Sequence, residues 1–120
     1  MMEVIGVYHA DGGLVGELKY LAGKLTGTTH CSLCDITHGW HPLGKSEWRT
    51  EIRKWGNLKA IHLNEQPAEL ATITAGKTPC VVTAKDGQYQ IIINSAQLAS
   101  CHGDIQALLT KIKQALSEDA

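Results

Sequence analysis

Hydrophobic residues form two patterns along the first part of the chain: a short apolar run typical of a buried strand, and a repeat typical of a helix. Val4-Ile5-Gly6-Val7-Tyr8 is a short apolar run and predicts a buried first strand. Asp11-Gly12-Gly13 interrupts it. Apolar positions then recur at spacings of four, three and four residues, which predicts one face of a helix that Gly27 is placed to end. These positions are Leu14, Leu18, Leu21 and Leu25.

A second helix and a second strand are predicted in the middle of the chain. Ser46 is a candidate cap, and Trp48, Ile52 and Trp55 form one helical stripe. Gly56-Asn57 is expected to stop this helix. Residues 58 to 63 then predict a strand, because they form a short run that is mostly apolar.

The last part of the chain predicts a short helix, a hairpin and a terminal helix. Pro67 at a first helical turn opens a helix to about Thr74, and Gly76 closes it. Two β-rich runs, 80–84 and 89–93, flank Lys85-Asp86-Gly87-Gln88, whose Asp-Gly centre favours a hairpin. Ser95 is expected to cap a short helical piece, and Gly103-Asp104 separates it from the last helix. The inward positions of the last helix are Ile105, Leu108, Leu109, Ile112 and Leu116.

The predicted elements follow the order β-α-(Cys/His loop)-α-β-α-β-β-α. Strands separated by helices are expected to be parallel, and the terminal hairpin antiparallel. This order predicts an α/β fold with a mixed sheet of about four strands flanked by helices. With 120 residues, the chain is expected to form one domain over 1–120.

Composition and charge narrow the classes of partner. The formal net charge is -1, with 11 basic and 12 acidic side chains, so no basic surface for nucleic acid or an anionic membrane is expected. No apolar run approaches the roughly 20 residues that span a bilayer, and no signal peptide is visible. A cytoplasmic protein with reduced thiols is therefore expected.

The segment from Thr78 to Gly87 resembles the thioredoxin-like superfamily. Pro79, the strand after it, the Asp86-Gly87 turn and the final helix occur in the order found there. The resemblance implies a thioredoxin-like sandwich in which Pro79 is cis and faces a Cys-x-x-Cys redox motif. In that family the motif follows the first strand. Here that place holds residues 9 to 14, and the motif comes one helix later.

Residues 28 to 43 show neither hydrophobic period and contain a Cys/His cluster. Cys31 and Cys34 are spaced for a small reversible disulfide, and a nearby His can lower the pKa of a thiol. The resemblance implies Cys31 as nucleophile and Cys34 as resolving thiol, in a thiol-disulfide oxidoreductase acting on a protein or small thiol. About 16 extended residues reach roughly 50 Å, so this loop can return to the top of the first strand and to Pro79.

The same cluster supports a zinc hypothesis. Cys31, Cys34, His38 and His41 form the pattern C-x2-C-x3-H-x2-H, and thiolates with imidazoles suit Zn²⁺. Zinc is the one cofactor that the sequence suggests. The histidine pair is closer together than in common zinc fingers.

Two further interpretations stay open. Residues 39 to 46 match G-x-x-x-x-G-K-[ST], the phosphate-binding loop, although the preceding residues are too polar for the buried strand that this loop requires. A non-catalytic interaction domain is the other alternative, with Cys80 and Cys101 expected to be small buried side chains. His62 and His102 are not expected to be ligands. Residues 9 to 13 end the first strand, where open α/β sheets bind ligands, and an ordinary strand-to-helix turn is the other interpretation of this segment.

Overall fold

The computed structural model describes residues 2–9, 32–37 and 45–118. The predicted helix over the Leu14–Leu25 stripe, with its end at Gly27, lies outside these residues. Within them, four strands form one sheet. The strands are β1 (Glu3–Val7), β2 (Leu58–Ile61), β3 (Cys80–Lys85) and β4 (Gln88–Ile93). The helices described are α1 (Ser32–Thr37), α2 (Ser46–Trp55), α3 (Ala68–Thr74), α4 (Ser95–Ala99) and α5 (Ile105–Glu118).

The sheet has the order β2-β1-β3-β4 and is mixed. β1 is parallel to β2 and antiparallel to β3, and β3 is antiparallel to β4. The predicted α/β class, with a four-stranded mixed sheet flanked by helices, is confirmed. The Thr78–Pro79 peptide bond, directly before β3, is cis.

The hairpin between β3 and β4 turns at Asp86-Gly87, as predicted. Both residues have positive φ, 53° at Asp86 and 78° at Gly87. A two-residue turn with two positive φ angles matches the twist of the flanking strands, and Asp-Gly tolerates it best. The hairpin therefore follows from local turn chemistry.

Alternation along the strands divides the core between two faces of the sheet. Val4, Tyr8 and Val81 lie on one face, which we call the α1 face, where α1, α2, α4 and α5 pack. Cys80 and Val82 lie on the opposite face, which we call the α3 face, where they pack with Leu70 of α3. The chain therefore has two apolar layers, one on each side of β1 and β3.

Helix α2 forms where the stripe predicts it. Trp48 is buried, and Ile52 and Trp55 pack against the same cluster. Gly56, with φ of 74°, ends the helix by donating its N–H to the Ile52 carbonyl at 3.1 Å. The cap position is Lys45 rather than Ser46, and it makes no side-chain capping bond.

Helix α1 corrects the prediction of an unbroken loop over residues 28 to 43. Leu33 and Ile36 are fully buried in the α1 face, and Thr37 is buried beside them. A Cβ atom added at Gly6 of β1 would lie 3.0 Å from Leu33 Cδ2. The sequence did not predict this short helix because its buried side is a single turn. A periodic pattern of hydrophobic residues is recognisable only over a longer segment.

Two other element ends differ from the prediction. β2 ends at Ile61. The next backbone N–H, that of His62, donates to Glu65 Oε1 at 2.7 Å and so is not available for hydrogen bonding within the sheet. Leu63 accordingly lies in a 3₁₀ turn, Leu63–Glu65. The cap of α4 is Asn94 rather than Ser95, since Asn94 Oδ1 accepts the Gln97 N–H at 2.9 Å.

Candidate functional site at the carboxyl end of the sheet

The candidate site lies where β1 and β2 end and β3 begins. Val7 pairs with Ile61 on one side and with Cys80 on the other. Continuing both registers by one residue sets Tyr8 between His62 and Pro79. Open α/β sheets bind ligands at the carboxyl ends of their parallel strands. We call this row of three residues, with their neighbours Thr37 and His9, the strand-end site.

Tyr8 attaches helix α1 to this row. Its phenol oxygen is 2.9 Å from Thr37 Oγ1, and both side chains are buried. Thr37 Oγ1 donates to the Leu33 carbonyl at 3.2 Å, so the Tyr8 hydroxyl is the donor to Thr37. Burial raises the pKa of Tyr8 to about 12, against the opposing effect of the Thr37 hydrogen bond. Tyr8 is therefore a neutral donor at physiological pH.

The neighbouring strand position extends the pairing of β1 with β3. His9 Nδ1 lies 2.8 Å from Thr78 Oγ1, although the two residues are separated by 69 positions in the chain. His9 is exposed, whereas Pro79 is buried. An imidazole thus lies next to Pro79 at the solvent-facing margin of the strand-end site.

His62 closes the row on the β2 side. Its ring centroid lies 4.9 Å from that of Tyr8, with the rings tilted by 48°. Its Nδ1 atom lies 2.8 Å from Glu65 Oε1, which also accepts the His62 backbone N–H. The backbone hydrogen bond, followed by the side-chain bond, lowers the pKa of the Glu65 carboxyl from its usual 4.5. Glu65 is therefore ionised at neutral pH.

A second contact holds α1 to α2 at the same end of the molecule. The Lys45 N–H donates to the Thr37 carbonyl at 2.8 Å. The Lys45 ammonium donates to the Gly103 carbonyl at 2.9 Å, which ties the start of α2 to the turn before α5. The two residues that flank segment 38–44 are thus hydrogen-bonded to each other.

The structure describes only part of the predicted Cys/His cluster. Cys34 lies in α1, one turn before Thr37, and Pro79 lies in the strand-end site. Cys31, His38 and His41 lie outside the described residues. Among the residues that are described, no group of three His, Cys, Asp or Glu side chains is arranged to hold a metal ion.

The surroundings of the phosphate-binding-loop match are also partly described. Helix α1 (Ser32–Thr37) lies shortly before the match, where such a loop requires a strand. The Lys45 ammonium, which would bind phosphate, instead donates to Gly103 O. Residues 39 to 44 lie outside the described part of the chain.

The remaining two cysteines are buried, as predicted. Cys80 is fully buried in the α3 face, and burial raises the pKa of its thiol to about 11. Cys101 is buried in the α1 face, where burial likewise raises its thiol pKa and Sγ contacts the Gln97 carbonyl at 3.5 Å. A thiol is inert until it ionises, so both act as apolar side chains.

Two residues of the strand-end site have no chemical role in the prediction from sequence. His62 was expected to be a non-ligand histidine within a strand, and Thr37 was not singled out. The contact between Tyr8 and Thr37 spans 29 residues and depends on how α1 crosses β1. The one local signal was Glu65, three residues after His62, which is the spacing of a capping box.

Comparison with known proteins adds no relative. The chain matches no protein-family model, no curated protein and no solved structure. Within the described residues, no helix has the length and apolar character needed to cross a membrane.

Proposed function

We propose that the chain is a thioredoxin-like protein in which Cys31 and Cys34 exchange disulfides with a small thiol or a protein partner in the cytoplasm. The observation that carries the proposal is the buried Tyr8–Thr37 hydrogen bond of 2.9 Å. It joins the helix that contains Cys34 to the strand position beside Pro79.

The packing of α1 supports the same proposal. The Leu33 side chain packs directly over Gly6, where β1 carries no side chain, so the helix lies close to the strand. Thr37, at the end of the helix, reaches Tyr8 at the end of β1. Helix α1, which contains Cys34, thus ends near the carboxyl end of β1, and Pro79 lies beside that strand end. The proposed approach of this segment to Pro79 requires such a position.

The proposed reaction needs no cofactor. The Cys31 thiolate attacks one sulfur of a partner disulfide, which forms a mixed disulfide and releases one partner thiolate. The Cys34 thiolate then attacks Cys31 Sγ and releases the second partner thiolate. The partner disulfide gains two electrons, and the chain loses two electrons as Cys31 and Cys34 become a disulfide. The roles of the two cysteines follow from the resemblance.

The test is a redox cycle on the intact chain. Oxidation should link Cys31 to Cys34, dithiothreitol should restore both thiols, and mass spectrometry of peptides identifies the pair. Cys31→Ser and Cys34→Ser should each abolish the cycle, whereas the control Cys101→Ala should keep it. A wild-type protein that forms no Cys31–Cys34 disulfide would overturn the proposal.

A zinc site at Cys31, Cys34, His38 and His41 is the second candidate. It is favoured by the Lys45 N–H to Thr37 carbonyl bond, because both histidines belong to the segment whose flanking residues this bond joins. Elemental analysis should then find one zinc per chain, with thiols that react only after a chelator is added. Metal-free protein with freely reactive thiols would rule this candidate out.

A further inference from the structure

In the sheet that the structure describes, the two outer strands, β2 and β4, differ in charge. β2 spans four residues and contains Lys59, whose ammonium lies 3.2 Å from Glu3 Oε2. β4 spans six residues, Gln88–Ile93, and contains no charged residue and no proline. Short length, charge and proline commonly keep an outer strand from pairing with another chain. β4 has none of these three protections.

The hydrogen bonds of the sheet determine which backbone groups of β4 point outward. Val4 donates its N–H to the Asn57 carbonyl, at the start of β2. The next residue, Ile5, therefore directs its N–H and C=O to the other side, toward its partner Val82 in β3. Because Val82 uses its backbone groups on β1, Ile91 opposite it in β4 directs its own away from β3.

Tyr89 faces the outer edge in the same way. It lies two residues before Ile91, so its N–H and C=O have the same direction. No strand among the described residues pairs with the outer side of β4. Two N–H and two C=O groups therefore lie along this edge without a partner in the part of the chain that the structure describes.

The side chains along this edge divide between the two faces of the sheet. The regular part of β4 is 88–91, because the register with β3 shifts between Ile91 and Ile93. Tyr89 and Ile91 are half-buried on the α3 face. Gln90 is exposed on the opposite face. A second strand along 88–91 would thus meet apolar side chains on one face and an amide on the other.

We propose that the chain forms a two-fold symmetric dimer in which β4 pairs antiparallel with β4 of a second copy, with Gln90 opposite Gln90. A strand that pairs antiparallel with itself meets the requirement of a two-fold interface, since each partner offers the same surface. In this register Tyr89 of each copy lies opposite Ile91 of the other, and the two pairs exchange four hydrogen bonds. These bonds use every outward backbone group of 89 and 91 in both copies.

Other registers satisfy fewer of these groups. Centring the pairing on Tyr89 would set Ile91 opposite Gly87 in the turn, and centring it on Ile91 would set Tyr89 opposite Ile93, beyond the register shift. The register centred on Gln90 also places tyrosine beside isoleucine on the α3 face, and aromatic and β-branched side chains form favourable cross-strand pairs.

This dimer leaves the strand-end site of each copy accessible. β1 and β4 run in the same direction, because both are antiparallel to β3. The two β4 strands of the dimer are antiparallel, so the two β1 strands are antiparallel as well. The two strand-end sites therefore lie at opposite ends of the continuous sheet, and neither copy covers the site of the other.

The first experiment measures association by analytical ultracentrifugation in reducing buffer, where no disulfide contributes. The average mass of the wild type should rise with concentration from that of the monomer toward twice that value. Gln90→Lys sets two ammonium groups opposite each other at the two-fold axis and should raise the dimer Kd by about fivefold.

Gln88→Lys is the matched control for charge. Gln88 is exposed and lies on the same face of β4 as Gln90, but its symmetry mate lies about 13 Å away along the strand. This variant should change Kd by less than about twofold. A wild type that stays monomeric up to about 1 mM would overturn the proposal, as would a dimer that the two variants affect equally.

The second experiment tests the register by crosslinking. Side chains opposite each other in a non-hydrogen-bonded pair have Cβ atoms about 4.5–5.5 Å apart, which is close to the distance that a disulfide spans. Mild oxidation of Gln90→Cys should therefore link residue 90 of one copy to residue 90 of the other, and mass spectrometry of peptides distinguishes this link from any made by the native cysteines.

Gln88→Cys is the control for the crosslink and should give at least about tenfold less of the corresponding 88–88 link, because its Cβ atoms are too far apart. Both positions are exposed, so both variants should fold, and thermal unfolding checks this. Equal yields from the two variants, or no link at residue 90, would exclude the proposed pairing of β4 with itself.

Discussion

Tyr8 combines three roles that are usually divided among several residues. It fills the α1 face, it donates to Thr37 of α1, and its ring packs against His62. Tyrosine suits such a position because it has a large apolar body and one polar end. Changes at Tyr8 are therefore expected to affect both the attachment of α1 and the strand-end site.

Tyr8→Phe tests the attachment of α1. The variant keeps the ring but removes a buried hydrogen bond, and it should lower the free energy of unfolding by about 1–2 kcal/mol. Chemical denaturation measures this loss. Tyr89→Phe, in β4 on the other face, is the matched control and should change stability by less than about 0.5 kcal/mol. Equal losses in the two variants would contradict a special role for the Tyr8 hydroxyl.

Gly6 allows α1 to lie close to the sheet. Gly6→Ala would set a methyl group 3.0 Å from Leu33 Cδ2, and Leu33 is fully buried with little room to move. We expect a loss of about 1–3 kcal/mol in the free energy of unfolding. The loss should be smaller when Leu33→Val is already present, because the shorter side chain relieves the contact. A Gly6→Ala protein as stable as wild type would mean that α1 adapts freely.

At the scale of elements, the start of α2 is held by Lys45 rather than by a side-chain cap. Its backbone N–H binds the end of α1, and its ammonium binds Gly103 before α5. Three helices on the α1 face thus meet at one lysine. The contact gives Lys45 a structural role that does not depend on phosphate.

Lys45→Met should therefore lower stability without any nucleotide. Methionine keeps much of the apolar stem but loses the charged hydrogen bond, at a cost of about 1–2 kcal/mol. Lys54→Met is the control. The Lys54 side chain is 70% exposed, and its Nζ lies 3.8 Å from Glu51 Oε1, so this ion pair contributes little to stability. Thermal unfolding with and without ATP measures both effects. A stabilisation by ATP that Lys45→Met abolishes would instead support the phosphate-binding loop.

The elements that the sequence predicted well carry strong local signals. The hairpin was found from Asp86-Gly87 and α2 from the Trp48, Ile52 and Trp55 stripe, because turn chemistry and a full helical period act within a few residues. Helix α1 was missed because only Leu33 and Ile36 mark its buried side. Contacts such as Tyr8–Thr37 and His62–Tyr8 arise from strand register and helix placement, which no local pattern encodes.

At the scale of the whole molecule, each face of the sheet contains one buried cysteine among the side chains that the structure describes. Cys80 lies in the α3 face and Cys101 in the α1 face. Four of the described helices pack on the α1 face, whereas α3 is the described helix that packs on the other side. The two thiols can therefore report separately on the unfolding of each layer.

Both thiols should become reactive in one transition. β1 and β3 contribute to both faces, so neither layer can separate from the sheet without disrupting the other. Pulsed alkylation at increasing denaturant, read by mass spectrometry, should give the same midpoint for Cys80 and Cys101. Reaction of Cys80 at lower denaturant than Cys101 would show that the α3 face opens as a separate unit.

The hydrogen bond between the Lys45 N–H and the Thr37 carbonyl has a consequence for protein engineering. Residues joined in this way are natural points at which to shorten a chain, because a brief turn can replace what lies between them. Replacing 38–44 with such a turn would remove His38, His41 and most of the phosphate-binding-loop match at residues 39 to 46 together, while leaving Cys34 in place. A single deletion variant can thus distinguish functions that need segment 38–44 from functions that need only the sheet and Cys34.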